Sequence, residues 1–305
     1  MRALVTGANG FVGKYLTQRL TAGQYEVFGC DINVIENNGL FVVDLLDESS
    51  INAFIKWTRP DYIFHLAGLS SVSNSWTNPS LTFEVNMKGA LHLLNAVRSH
   101  AKGARTLLVG SSEEYGLIKP ESLPVNEATP IAPVNPYALS KYAVERLGFM
   151  YCQAYGLDIV FVRAFNHTGA GQPRGFVIPD FCANIAAIEK GSASELYTGN
   201  LDAVRDFSDV RDIIEGYVLL MQKGQKGEVY NIGCGKGYRI GDILDRLLAL
   251  STLRIPIKTD LLKLRPSDIP VIICDNSKIR RGVGYTPNYS IEDTLASVLE
   301  YWRKQ

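Results

Sequence analysis

The sequence predicts a doubly wound, parallel α/β sheet. Three observations carry that expectation: short apolar runs alternate with amphipathic stretches, the runs are nearly continuous, and the first ends in a glycine-rich turn. Residues 2–6, 25–30, 61–67, 105–110 and 157–163 are rich in Val, Ile, Leu and Phe. Continuous apolar runs of that length suit parallel strands buried on both faces. Between them, residues 10–22, 47–58, 78–100 and 136–155 read as helices, the second with Ile51, Phe54 and Ile55 on one side. Strand–helix alternation implies right-handed crossovers and a wound sheet.

After about residue 166 the rhythm changes and Pro and Gly become denser. Residues 176–190, 209–223, 240–250 and 290–303 read as helices and 228–232 as a strand. The expected organisation is a domain over 1–165, with segments of about 205–235 returning to it, and a smaller C-terminal α/β domain over 166–305. No repeat or low-complexity linker separates them.

Composition excludes several classes. The 305 residues hold 31 basic and 31 acidic side chains, so there is no global basic field to gather nucleic acid or an anionic membrane. No apolar run approaches the roughly 20 residues of a membrane span. The opening MRALVTGANG lacks the apolar core of a signal peptide, and a cytoplasmic location is expected. The five cysteines form no CxxC pair and the four histidines show no ligand spacing, so reduced buried thiols and no metal are expected.

Chemistry enters at the first turn. Gly7, Gly10 and Gly13 follow the first run and open the first helix. Missing side chains let a pyrophosphate approach the backbone, and the helix N-terminus offers free N–H donors. This is a Rossmann-type arrangement spaced Gly-x-x-Gly-x-x-Gly. Asp31 ends the second run, where a carboxylate accepts from an adenosine ribose and repels a 2′-phosphate. No arginine follows it in CDINV, which favours NADH or a site tolerant of both cofactors. Asp44, after the next apolar run, is placed either to meet adenine or to cap the following helix.

In NPYALSKYAVE, Tyr137 and Lys141 stand four residues apart, on one helix face. A nearby ammonium lowers a phenol's pKa and fits it for proton transfer. The strand ending LLVGSSEEYG delivers Ser111 and Ser112 to the sheet's carboxyl edge, where a hydroxyl can polarise a carbonyl oxygen.

Together TGANGFVG, HLAG at 65–68, NMKGA at 86–90, SSEEYG and YALSK resemble the extended short-chain dehydrogenase/reductases that act on nucleotide sugars. RAFNHTGAGQPRGFVIPDF is similar to the GDP-6-deoxy-4-keto-D-mannose reductases and, less closely, to the GDP-mannose 4,6-dehydratases. The resemblance implies a catalytic set of Ser111, Tyr137 and Lys141, with Glu113 as a further member. It implies a cofactor site, for NADPH or NADH, of Gly7, Asn9, Gly10, Phe11, Val12, Gly13, Asp31, Asp44, Leu45, Leu66, Ala67, Ala164, Tyr137 and Lys141. For a GDP-linked 4-keto-6-deoxyhexose it implies Ser112, Glu113, Asn166, Val177, Arg205, Arg265 and Asp268, the arginines as forks for the diphosphate. A glutamate at the register of Glu113 removes the C5 proton in the dehydratase relatives, which keeps a dehydratase or epimerase as the alternative and Glu114 as a second carboxylate nearby. The same resemblance implies a homodimer through the 78–100 and 136–155 helices.

Overall fold

The structure, a computed structural model, describes residues 1–34, 39–260 and 269–305. The strands are β1 (Arg2–Thr6), β2 (Glu26–Asp31), β3 (Leu40–Val42), β4 (Tyr62–His65), β5 (Arg105–Ser111), β6 (Asp158–Ala164), β7 (His167–Thr168), β8 (Leu196–Thr198), β9 (Val204–Asp206), β10 (Ser208–Asp209), β11 (Val229–Ile232), β12 (Gly237–Arg239), β13 (Ile257–Thr259) and β14 (Val271–Ile272). The helices are α1 (Phe11–Ala22), α2 (Glu48–Thr58), α3 (Val72–Thr77), α4 (Pro79–Phe83), α5 (Gly89–His100), α6 (Pro136–Tyr155), α7 (Val177–Glu189), α8 (Val210–Lys223), α9 (Ile240–Ala249), α10 (Ser277–Val283) and α11 (Ile291–Arg303).

Seven strands form one parallel sheet in the order β11-β6-β5-β4-β1-β2-β3. This is the doubly wound arrangement the alternation predicts. Successive side chains point to opposite faces. Ala3 and Val5 therefore join a core with Leu16 and Leu20 of α1 and Ile213 and Tyr217 of α8. Leu4 joins another with Ile51 of α2, Leu93 of α5 and Val144 of α6. The order in which strands are added reverses between β1 and β4, and ligands of such sheets bind outside the carboxyl ends at that point.

The later residues pack a separate core from α7, α9 and α11, including Phe181, Ile185, Leu244 and Leu295. Between these helices lie small sheets, β12-β9-β14, β13-β8 and β10-β7, that the sequence reading does not predict.

One expected helix is broken. Residues 78–100 divide into α4, a π turn at Glu84–Lys88, and α5. Buried Asn86 lies in the π turn; its Oδ1 accepts from Leu69 N at 2.7 Å, and its Nδ2 donates to Ser140 Oγ at 2.9 Å. These bonds tie the loop after β4 to α6. Such π turns occur often beside functional sites.

Helix α6 is specified locally. Asn135 caps it by accepting from Ala138 N at 2.8 Å, and Pro136 occupies the first turn. Gly156, at φ +72°, ends it. Gly148 sets its depth: a Cβ there would lie 2.5 Å from Phe161 Cε1 and 2.6 Å from Leu108 Cδ1. The helix thus lies close on the sheet, with Tyr137 and Lys141 beside the end of β5.

Candidate active site

The first turn is built for close approach. A Cβ on Gly13 would lie 2.1 Å from the Gly7 carbonyl oxygen, and one on Gly7 2.8 Å from Ala67 N. Gly10 meets only that carbonyl oxygen, at 3.1 Å, so its other side is open among the described residues. Helix α1 has no side-chain cap, which leaves its first amides to a ligand or solvent. This cradle fits a dinucleotide's pyrophosphate. Asp31 anchors it, one oxygen accepting from Asn9 N at 3.1 Å and the other from Asn33 N at 3.4 Å. Asn9, Phe11 and Val12 lie in or just after the turn, Leu66 and Ala67 follow β4, and Ala164 ends β6. All of these gather along the carboxyl edge. Leu45 packs at 3.3 Å from the position of a Gly89 Cβ. Asp44 is not the helix cap: Asp47 caps α2 through Ser49 N, while Asp44 accepts from Leu46 N at 2.8 Å in the preceding turn.

At the end of β5, Ser111 starts a short 3₁₀ turn, Ser112–Tyr115. Its hydroxyl accepts from Glu113 N at 3.2 Å and lies near enough to the Tyr137 phenol to act on its proton. Both side chains are buried. Burial raises the phenol's pKa well above its usual value; the Ser111 hydroxyl lowers it, and the Glu113 and Glu114 carboxylates raise it. Lys141 is not among these leading influences, contrary to the expected tuning of Tyr137 by its ammonium. Burial brings Lys141 itself down to about 8, opposed by the charge of Glu114. Its Nζ lies 3.9 Å from the position of a Gly68 Cβ, next to Asn86. His65, beyond it, is buried and held near 3, first by desolvation and then by Lys141. The Thr6 hydroxyl lies 2.9 Å from His65 Nδ1.

A cleft of about 540 Å³ opens beside this edge. Its wall brings together Glu113, Asn166, Val177 and Arg205, four of the residues expected at the substrate. Ser111, Tyr137 and Lys141 stay off the wall, and Glu113, two residues past Ser111, is its nearest approach in the chain to the buried hydroxyl pair. Ser112 is not on the wall either; the 3₁₀ turn buries it. Arg265 and Asp268 lie outside the described residues. Glu113 is held by Asn135, whose Nδ2 donates to its Oε2 at 3.0 Å. The same asparagine caps α6, so the cleft carboxylate and the helix of Tyr137 and Lys141 share one anchor. Glu114 faces the other way, fully buried against Arg163. It is therefore no second carboxylate for the cleft. Arg205 is buried on β9, its Nη1 donating to Val204 O at 3.0 Å. His167 bonds Phe165 O at 2.9 Å, as a packed histidine should, yet also lines the cleft.

Sequence reasoning missed Trp76 and Asn200, both on the wall. Trp76 is half exposed on α3. An indole among Ser, Asn and Thr in SVSNSWTN, where no core needs it, was the available signal. Among the described residues there is no cluster that could hold a metal ion, and no helix is long and apolar enough to cross a membrane.

Comparisons with known proteins agree with this geometry. A family profile described as GDP-mannose 4,6 dehydratase matches residues 4–298. The chain is 30% identical to GDP-6-deoxy-D-mannose reductase of Pseudomonas aeruginosa, covering 100% of this chain and 98% of that protein. It is 33% identical to GDP-6-deoxy-D-talose 4-dehydrogenase of Aggregatibacter actinomycetemcomitans, covering 93% and 92%. The solved structure of RMD from Pseudomonas aeruginosa complexed with NADPH superposes with a TM-score of 0.88 at 30% identity, covering 99% of each chain.

Proposed function

The chain belongs to the GDP-mannose 4,6-dehydratase family, and from that premise we propose that it reduces the C4 ketone of GDP-4-dehydro-6-deoxy-D-mannose to GDP-D-rhamnose with NADPH or NADH. The observation that carries the reading is the buried Ser111–Tyr137 hydroxyl pair, with Lys141 one helical turn from the tyrosine and Glu113 reaching the cleft. The reductase relative, matched over 98% of its length, supports the same reaction class.

The dihydronicotinamide, when bound, supplies a hydride for C4. The chain supplies the rest. Gly7, Gly10 and Gly13 with the amides of α1 would hold the pyrophosphate, and Asp31 would accept from the adenosine ribose. A ketone oxygen entering beside the two hydroxyls would accept from both. Tyr137 then donates its proton to O4, and Ser111 stabilises the developing oxyanion. Its raised pKa keeps the phenol protonated at neutral pH, the form that reduction requires. Lys141 would hold the nicotinamide ribose. Arg205 and Asn166 on the cleft wall would take the GDP diphosphate and sugar, and Val177 at the start of α7 the guanine.

Glu113 supports the alternative of dehydration. Incubation with GDP-mannose and oxidised cofactor separates the two. The reductase reading expects no keto sugar from GDP-mannose, but oxidation of NADPH or NADH on adding the 4-keto-6-deoxy sugar. Keto sugar formed from GDP-mannose alone would replace reductase with dehydratase.

We also propose a cytoplasmic homodimer. The five cysteines are unpaired, as in a reducing compartment. Leu139 and Met150 of α6 and Met87 of the π turn expose apolar side chains, 47%, 61% and 39% accessible, on the helices expected at the interface. Sedimentation at micromolar concentration is expected to give about 67 kDa, twice the 33.7 kDa chain; a lone monomer would contradict it.

A further inference from the structure

Glu114 is fully buried, and its two oxygens do different things. Oε1 accepts from Ser111 N at 2.7 Å, closing a reciprocal cap in which the Ser111 hydroxyl accepts from the turn. Oε2 has no hydrogen-bond partner among the described residues; its nearest cation is Arg163 Nε at 3.7 Å. That arginine is committed elsewhere, bidentate to Glu145 at 2.7 and 2.9 Å, with Nη1 on the Tyr115 hydroxyl at 2.9 Å. The carboxyl is also sterically fixed: a Cβ on Gly110 would lie 2.4 Å from Oε1. Gly110, Lys141 and Glu145 line one narrow crevice.

We propose that Glu114 is a positioning residue for proton transfer, holding Ser111 through its backbone N–H and acting as the buried counter-charge that keeps Lys141 protonated as pH rises. The groups facing it are Arg163 on β6 and Glu145, Lys141 and Tyr137 on α6, with Tyr115 beside it and His65 beyond Lys141. Burial, then Glu145, pushes Glu114 up to about 8; the Ser111 N–H, Arg163 and Lys141 oppose that rise. Its charge therefore develops in the alkaline range, where Lys141 would lose its proton. In return that charge raises both the phenol and the ammonium.

This inference rests on Tyr137 being the proton donor. The test compares full-length wild type, Glu114→Gln and Glu114→Asp, with kcat and KM measured for the keto sugar and NADPH from pH 6 to 10. The amide of Glu114→Gln still accepts from Ser111 N but carries no charge. Its NADPH affinity is expected to stay within about 3-fold of wild type, with the alkaline limb of kcat/KM moved down by about 0.5–1 pH unit. Glu114→Asp keeps the charge on a shorter arm, so the limb should stay in place while kcat falls about 3–10-fold through displaced Ser111. An unmoved limb in Glu114→Gln overturns the proposal. If Glu114→Gln does not fold by circular dichroism, Glu114→Asp decides. An unmoved limb with reduced kcat supports the proposal, and wild-type kcat overturns it. Undiminished turnover in Tyr137→Phe would instead sink the assignment of the donor, so the two failures are distinguishable.

Discussion

Tyr137→Phe is expected to lower kcat for keto-sugar reduction by about 10²–10⁴-fold, the usual worth of a positioned general acid. The ring is buried against the sheet, so phenylalanine keeps its packing and loses only the hydroxyl. Ser111 keeps its bond from Glu113 N and therefore stays in place. The keto sugar should still bind through Arg205 and Asn166, so KM should change by less than about 3-fold, as expected for an interaction made only in the transition state. Steady-state kinetics at saturating NADPH, with the melting temperature as a folding control, measure both. A parallel rise in KM with unchanged kcat would place Tyr137 in binding rather than proton transfer.

The largest effect on stability is expected from Arg163→Met. Its guanidinium, 5% exposed, is forked onto Glu145, touches Tyr115, and is the nearest cation to Glu114 Oε2. Tyr115 continues the chain of bonds by donating to Asn231 Oδ1 at 2.6 Å. Methionine fills much of the volume but leaves two buried carboxyl groups without their cation. Breaking a buried pair this way costs about 3–5 kcal/mol. Removing Glu145 as well, in Arg163→Met/Glu145→Leu, should recover part of that loss, because only Glu114 then remains without its cation. Urea unfolding followed by circular dichroism gives both values. Equal destabilisation of the single and double variants would show that packing, and not the orphaned carboxylate, sets the cost.

Where local chemistry decides, the sequence was readable. Helix α6 begins and ends at the residues expected, because Asn135-Pro136 and Gly156 are signals independent of tertiary contacts. The glycine turn was readable for the same reason: only glycine fits where a Cβ would meet Gly7 O or Ala67 N. The break in the 78–100 helix was not. A π turn shifts the register inside an unbroken helical backbone, and Asn86 is held there by Leu69 and Ser140, distant in sequence. The adjacent carboxylates of SSEEYG carry the same local signal. Their opposite destinations, cleft for Glu113 and core for Glu114, depend on a 3₁₀ turn and on Arg163 some fifty residues away. Strands such as β9, three residues long, are too short for any period to show, yet β9 is what brings Arg205 to the cleft wall.

The most direct test of the central claim is isotopic. The enzyme is given GDP-4-dehydro-6-deoxy-D-mannose with NADPH or NADH deuterated at the transferable C4 position, and the sugar product is read by NMR. The account predicts one deuterium, bonded to C4 of GDP-D-rhamnose, with one cofactor oxidised per sugar reduced. Sugar turned over with protium at C4 and no net loss of reduced cofactor would contradict it.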